Sequence, residues 1–144
     1  MSVVARRYYK RGRASLESGD LEAAIETLSS AVDLAPTFTA ARVALAATLG
    51  RYGDFPRAAQ VLRAGITRPA PPASQALMWV TLGDVLAQSG DFPAAEEAYG
   101  QIDDPAFAAR VAAGRARIHA KLGRFHESFA ELAKAAGVAP VSPE

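Results

Sequence analysis

The sequence predicts an all-α fold of four antiparallel helical hairpins, and three observations carry that prediction. A glycine-centred segment recurs four times. The 33 alanines outnumber Val, Ile and Thr together, which total 20. No stretch sustains the period-two alternation of a half-buried strand, so helix is the favoured element throughout. The recurring segments are Gly19-Asp20-Leu21-Glu22-Ala23-Ala24, Gly53-Asp54-Phe55-Pro56-Arg57-Ala58, Gly90-Asp91-Phe92-Pro93-Ala94-Ala95 and Gly123-Arg124-Phe125-His126-Glu127-Ser128. Their glycines stand 34, 37 and 33 residues apart, and self-similarity at such a period marks a repeat array.

Each element follows from this punctuation. A helix ends at each glycine, where a left-handed residue closes the last turn, and the Asp or Pro that follows opens the second helix of the hairpin. The small residues Gly12, Ala46, Gly83 and Ala116 on the first helices meet Ala24, Ala58 and Ala95 on the second, which lets the axes approach closely; Ser128 is the slightly larger fourth. Pro36, the cluster from Pro69 to Pro72, Asp104-Pro105 and Pro140 separate successive hairpins, giving repeats of about 5–38, 39–72, 76–108 and 109–142 in a single domain 1–144. The three extra residues of the 37-residue interval fall at Pro71 to Ser74 and predict a lengthened loop. The second helix of the third hairpin, Pro93 to about Ile102, is expected to be shorter than its siblings.

The residues within each period identify the architecture further. The third unit carries Trp79, Leu82, Gly83, Leu86, Ala95 and Tyr99 in register. The first supplies Tyr8, Gly12, Ala24, Leu28, Ala31 and Pro36, with Arg11 in a leucine slot; the second supplies Leu45, Ala46, Leu49, Ala58 and Leu62, with Arg42 where an aromatic belongs. The fourth keeps Leu132, Ala135 and Pro140 but places Ala112, Arg115 and His119 in apolar slots. In this pattern the chain resembles a tetratricopeptide-repeat (TPR) protein over about residues 5 to 142. The resemblance implies a right-handed superhelix, an α-solenoid, in which the first helix of every hairpin lines a concave groove that binds a peptide or partner protein. The carboxylate clamp by which many relatives hold chaperone C-termini uses Lys and Asn, and this sequence contains no Asn, so that activity is disfavoured.

Helical spacing then nominates the groove residues. Arg6, Tyr9, Lys10 and Arg13 share one stripe of the first helix. The equivalent stripes carry Ala40, Val43, Ala47 and Arg51; Leu77, Val80, Thr81 and Asp84; and Arg110, Ala113, Gly114, Arg117 and Lys121. Such a groove is basic at both ends and small and apolar between, which suits a partner segment of acidic character. Residues 1–13 hold five basic and no acidic side chains, whereas residues 76–104 hold six acidic and no basic ones; opposite ends of two chains are complementary, and a heterologous contact of that kind builds rings or filaments. In the last helix Phe125, Phe129 and Leu132 recur at i, i+4 and i+7, an apolar stripe expected to serve self-association into a homo-oligomer.

Other classes find little footing. With 16 basic and 15 acidic side chains the net charge is +1, too balanced for binding by bulk electrostatics. Nucleic-acid binding is a distant alternative, resting on Arg6, Arg7, Lys10, Arg11 and Arg13 around Tyr8 and Tyr9; Tyr8 is expected to be buried, leaving Tyr9 alone to stack. There is no Cys and only His119 and His126, so no metal site, no cofactor and no catalytic residue is expected. No phosphate-binding glycine motif occurs, and an enzyme is not expected. No apolar run reaches the roughly 18–20 residues of a membrane span, and four basic residues before Gly12 occupy the place of a signal peptide's apolar stretch. A cytoplasmic protein is expected, and 13 arginines among 16 basic residues hint at a GC-rich bacterial genome.

Overall fold

The computed structural model describes residues 2–137. Pro140 lies outside them, as does the side chain of Phe125. The described chain is all helical: α1 (Val3–Glu17), α2 (Leu21–Leu34), α3 (Thr39–Tyr52), α4 (Phe55–Ile66), α5 (Pro72–Ser89), α6 (Phe92–Gly100), α7 (Ala108–Lys121) and α8 (Phe125–Ala135), with a 3-10 turn at Pro105–Phe107 between α6 and α7.

The turns form as their residues dictate. Gly19, Gly53, Gly90 and Gly123 take φ of +81°, +101°, +88° and +76°, a conformation that costs an L side chain. Asp20, Asp54 and Asp91 then accept from the N–H three residues on, at 3.1, 3.3 and 3.3 Å. The fourth turn has Arg124 in that place, with no side-chain cap, a loss of about 1 kcal/mol.

One boundary differs from the sequence expectation. The residues inserted at Pro71 to Ser74 extend α5 to 18 residues instead of lengthening a loop. Pro72 is the reason: at the first helical position its missing N–H costs nothing and its fixed φ is already helical. Gln75 reinforces the start by donating from Nε2 to the carbonyls of Ile66 and Arg68 at 3.2 and 2.8 Å, closing the end of α4. The short α6, nine residues, is as expected.

Hairpins pack through their small residues. Ala24, Ala46, Ala58 and Ala95 are fully buried, and Ala116 nearly so. A Cβ added at Gly12 would fall 2.6 Å from Cγ of Leu28. Ser128, at the fourth crossing, is satisfied by donating its hydroxyl to the Ala116 carbonyl at 2.9 Å. Between hairpins the two layers differ: among the described residues the backbones of α1 and α3, α3 and α5, and α5 and α7 approach closely, whereas those of α2, α4, α6 and α8 stay apart. An array closed along one layer and splayed along the other curves toward the closed one, so the first helices form the inner wall and clefts open between the second helices.

Candidate partner-binding groove

On α1, Arg6, Lys10 and Arg13 are exposed and Tyr9 is half-buried. The Tyr9 ring packs on Phe38 at the start of α3, with centroids 5.0 Å apart, and its hydroxyl accepts from Nη1 of Arg13 at 2.9 Å. Tyr9 is therefore a fixed aromatic step at this end of the groove. Tyr8 is only half-buried, contrary to expectation; α1 is the outermost helix, and the guanidinium of Arg11, 5.7 Å from the ring centroid, covers it instead.

On α3, Ala47 and Arg51 are exposed and Val43 is half-buried, a shallow apolar strip ending in a cation. On α5 the nominated stripe is mostly interior. Val80 is fully buried and so is no groove residue. Thr81 is 3% exposed and donates its hydroxyl to the Leu77 carbonyl at 2.7 Å. The cause is position: α5 is packed on α3, α4, α6 and α7, and only a narrow line of it stays open. Leu77 and Asp84 lie on that line, both half-buried.

Asp84 organises the far end. Tyr99, 1% exposed, reaches from α6 between α5 and α7 and donates its hydroxyl to Oδ1 of Asp84 at 2.5 Å. Two glycines make the passage: a Cβ at Gly83 would fall 2.6 Å from Cδ1 of Tyr99, and one at Gly114 2.5 Å from Cζ. Burial first, then the bond to Asp84, hold the phenol well above its ordinary value, so it remains a donor. From α7, Nη2 of Arg110 donates to Oδ2 of Asp84 at 3.1 Å and Nη2 of Arg117 to Oδ1 at 3.5 Å. Arg110 and Arg117 are thus not the free cations the sequence suggests. Both guanidinia stay largely exposed, at 45% and 61%, with most of their five donors unused. Lys121 is exposed.

The acidic stretch is largely committed within the chain. Asp84 and Glu96 form ion pairs, Glu96 with Arg115 at 3.2 Å, and Asp91 and Asp104 cap backbone N–H groups. Among the described residues Glu97 and Asp103 make neither contact, and the capping aspartates keep their charge. In α8, Phe129 and Leu132 are 55% and 51% exposed. Among the described residues no group of three or more His, Cys, Asp or Glu side chains is placed to hold a metal, and no helix is long and apolar enough to cross a membrane.

Sequence reasoning missed the Tyr99–Asp84 bond, since nothing in the spacing shows an aromatic crossing between two helices. The signal available was the pair of glycines, Gly83 and Gly114, in adjacent first helices. Arg42 was legible as an intruder in an aromatic slot, yet not its fate. It is 5% exposed, donates from Nη1 to the Val61 carbonyl and from Nη2 to the Pro36 carbonyl at 2.9 and 2.7 Å, and fills room left by Gly65.

The chain matches the tetratricopeptide repeat family over residues 15–78 and again over residues 79–101. No curated protein matches it significantly. Among solved structures, the crystal structure of MamA is similar: 22% identity, a TM-score of 0.73, and coverage of 92% of this chain and 77% of that one. The likeness to MamA shows the fold, and the recurring hairpins with their left-handed glycines, buried alanines and closed inner layer agree with the sequence matches. The chain belongs to the tetratricopeptide-repeat family, whose members are in general protein-interaction modules.

Proposed function

We propose that the chain is a non-catalytic scaffold or adaptor that holds an acidic segment of a partner protein along its first helices. The observation that carries this reading is the row of exposed cations on that layer: Arg13, Arg51 and Lys121, unpaired with any acid among the described residues, and the partly engaged Arg110 and Arg117. Ala47 and Val43 supply a shallow apolar wall between them. Arg6 and Lys10 extend the cationic end, and Tyr9 gives it an aromatic contact. The segment's carboxylates take the unused guanidinium donors while its apolar side chains lie on α3.

The test is a titration of fluorescent acidic peptides against the wild type and Arg13→Glu/Arg51→Glu/Lys121→Glu, three exposed sites that leave the core intact. Binding lost in the variant supports the groove; equal binding by both rejects it. A second reading is favoured by the exposed Phe129 and Leu132 of α8, which suit self-association into a homo-oligomer. Light scattering decides it: a monomer at high concentration, unchanged by Phe129→Asp, sinks that reading.

A further inference from the structure

The clefts between the splayed second helices lie away from the groove, and one of them is cationic. Between α2 and α4 a hollow of about 460 Å³ is lined by Arg42, Arg57 and Arg68, together with Ser29, Gln60 and a single acid, Asp33. Arg57 and Val61 share one face of α4 and Arg68 follows just past its end, so the backbones of Arg57 and Arg68 stand roughly 16 Å apart while both side chains line the one hollow. Arg57 donates from Nη2 to the Ser29 hydroxyl across the cleft at 3.4 Å. Arg42 sits against Val61 and Pro36 in the wall.

The charge of Arg42 is the unusual feature. A guanidinium is ordinarily buried only with a carboxylate, yet Arg42 meets only two carbonyl dipoles. Among the described residues no carboxylate lies within ion-pairing distance of Arg42, Arg57 or Arg68. Burial, and secondarily the charge of Arg68, hold Arg42 below its ordinary value; an anion beside it would offset both by favouring the charged form. Two of its five N–H donors are used, and the guanidinium fork matches a phosphate or carboxylate.

We infer that the cleft between α2 and α4 binds an oxyanion, a phosphate or carboxylate group, against Arg42, Arg57 and Arg68. The site shares no residue with the groove and stands whether or not the groove reading holds.

The test titrates the full chain with inorganic phosphate and, separately, with hexaglutamate, against chloride at matched ionic strength, following backbone amide shifts and Tm. The expected result is a saturable shift of α2 and α4 amides and a rise in Tm beyond that in chloride, since a ligand of the folded state stabilises it. Arg57→Gln/Arg68→Gln, both exposed and outside the core, is expected to weaken binding about tenfold or more with an unchanged circular dichroism spectrum. Arg42→Lys keeps the charge but removes the fork; it is read only if it folds, and the double variant decides without it. Tighter binding of phosphate identifies a free oxyanion as the ligand, and tighter binding of hexaglutamate an acidic chain. No saturable response to either probe overturns the inference, as does a response that the double variant retains.

Discussion

At the junction of α3, α4 and α5 a guanidinium fills the room that Gly65 leaves, whereas at the junction of α5, α6 and α7 a phenol fills the room left by Gly83 and Gly114. Both side chains are almost wholly buried and both carry their polar end to a partner. Arg42 ends on two backbone carbonyls beside the outer cleft. Tyr99 ends on Asp84, and through it on Arg110 and Arg117 of the inner layer. The difference teaches that a glycine in a repeat array is space for a neighbour, and that the neighbour's chemistry decides whether the core communicates with a surface. The Tyr99 junction ties the inner layer's far end to the core, while the Arg42 charge ends on backbone carbonyls alone.

Substitutions can break this contrast by graded amounts. Tyr99→Ala empties the α5–α7 passage and is expected to cost about 3–5 kcal/mol in denaturant unfolding; Arg42→Met keeps volume but strips two carbonyls of donors, for about 1–3 kcal/mol. Equal costs would remove the distinction between the junctions. Gly114→Val overpacks Tyr99 and is expected to lose about 1–3 kcal/mol, an effect that Tyr99→Ala in the same chain should largely relieve. Tyr99→Phe removes only the hydroxyl, for about 1 kcal/mol. Arg110→Ala breaks a half-exposed ion pair and should cost under about 1 kcal/mol.

The phenol also sharpens the comparison by pH. Its value is raised in the folded chain, so its contribution is fully present below the ordinary tyrosine value, near 10, and is lost as pH climbs above it. Alkaline unfolding followed by circular dichroism should therefore be less steep in Tyr99→Phe, and an absorbance titration of the folded wild type should show one tyrosine resisting ionisation.

Much of the fold was legible because repeat chemistry is local. Glycine, aspartate and alanine recur where turns and close crossings require them, and Gly53 or Ala58 needs no long-range information to be placed. The start of α5 was misread because prolines punctuate both loops and helix N-termini, and only packing decides which. The groove was half legible. Helical spacing put Arg13, Arg51 and Lys121 on exposed faces, but it does not know which helices flank which, so it counted Val80 as surface. It also could not see that Asp84 binds Arg110 and Arg117 from a neighbouring hairpin. Arg42 and the cleft between α2 and α4 depend on the splay of the second helices, a property of the whole array.

The most direct measurement is hydrogen exchange of the intact chain with and without a saturating acidic peptide. The groove account predicts new protection concentrated in α1, α3 and α7, whatever the response of the cleft between α2 and α4. Protection confined to α2 and α4, or none in the first helices, would contradict it.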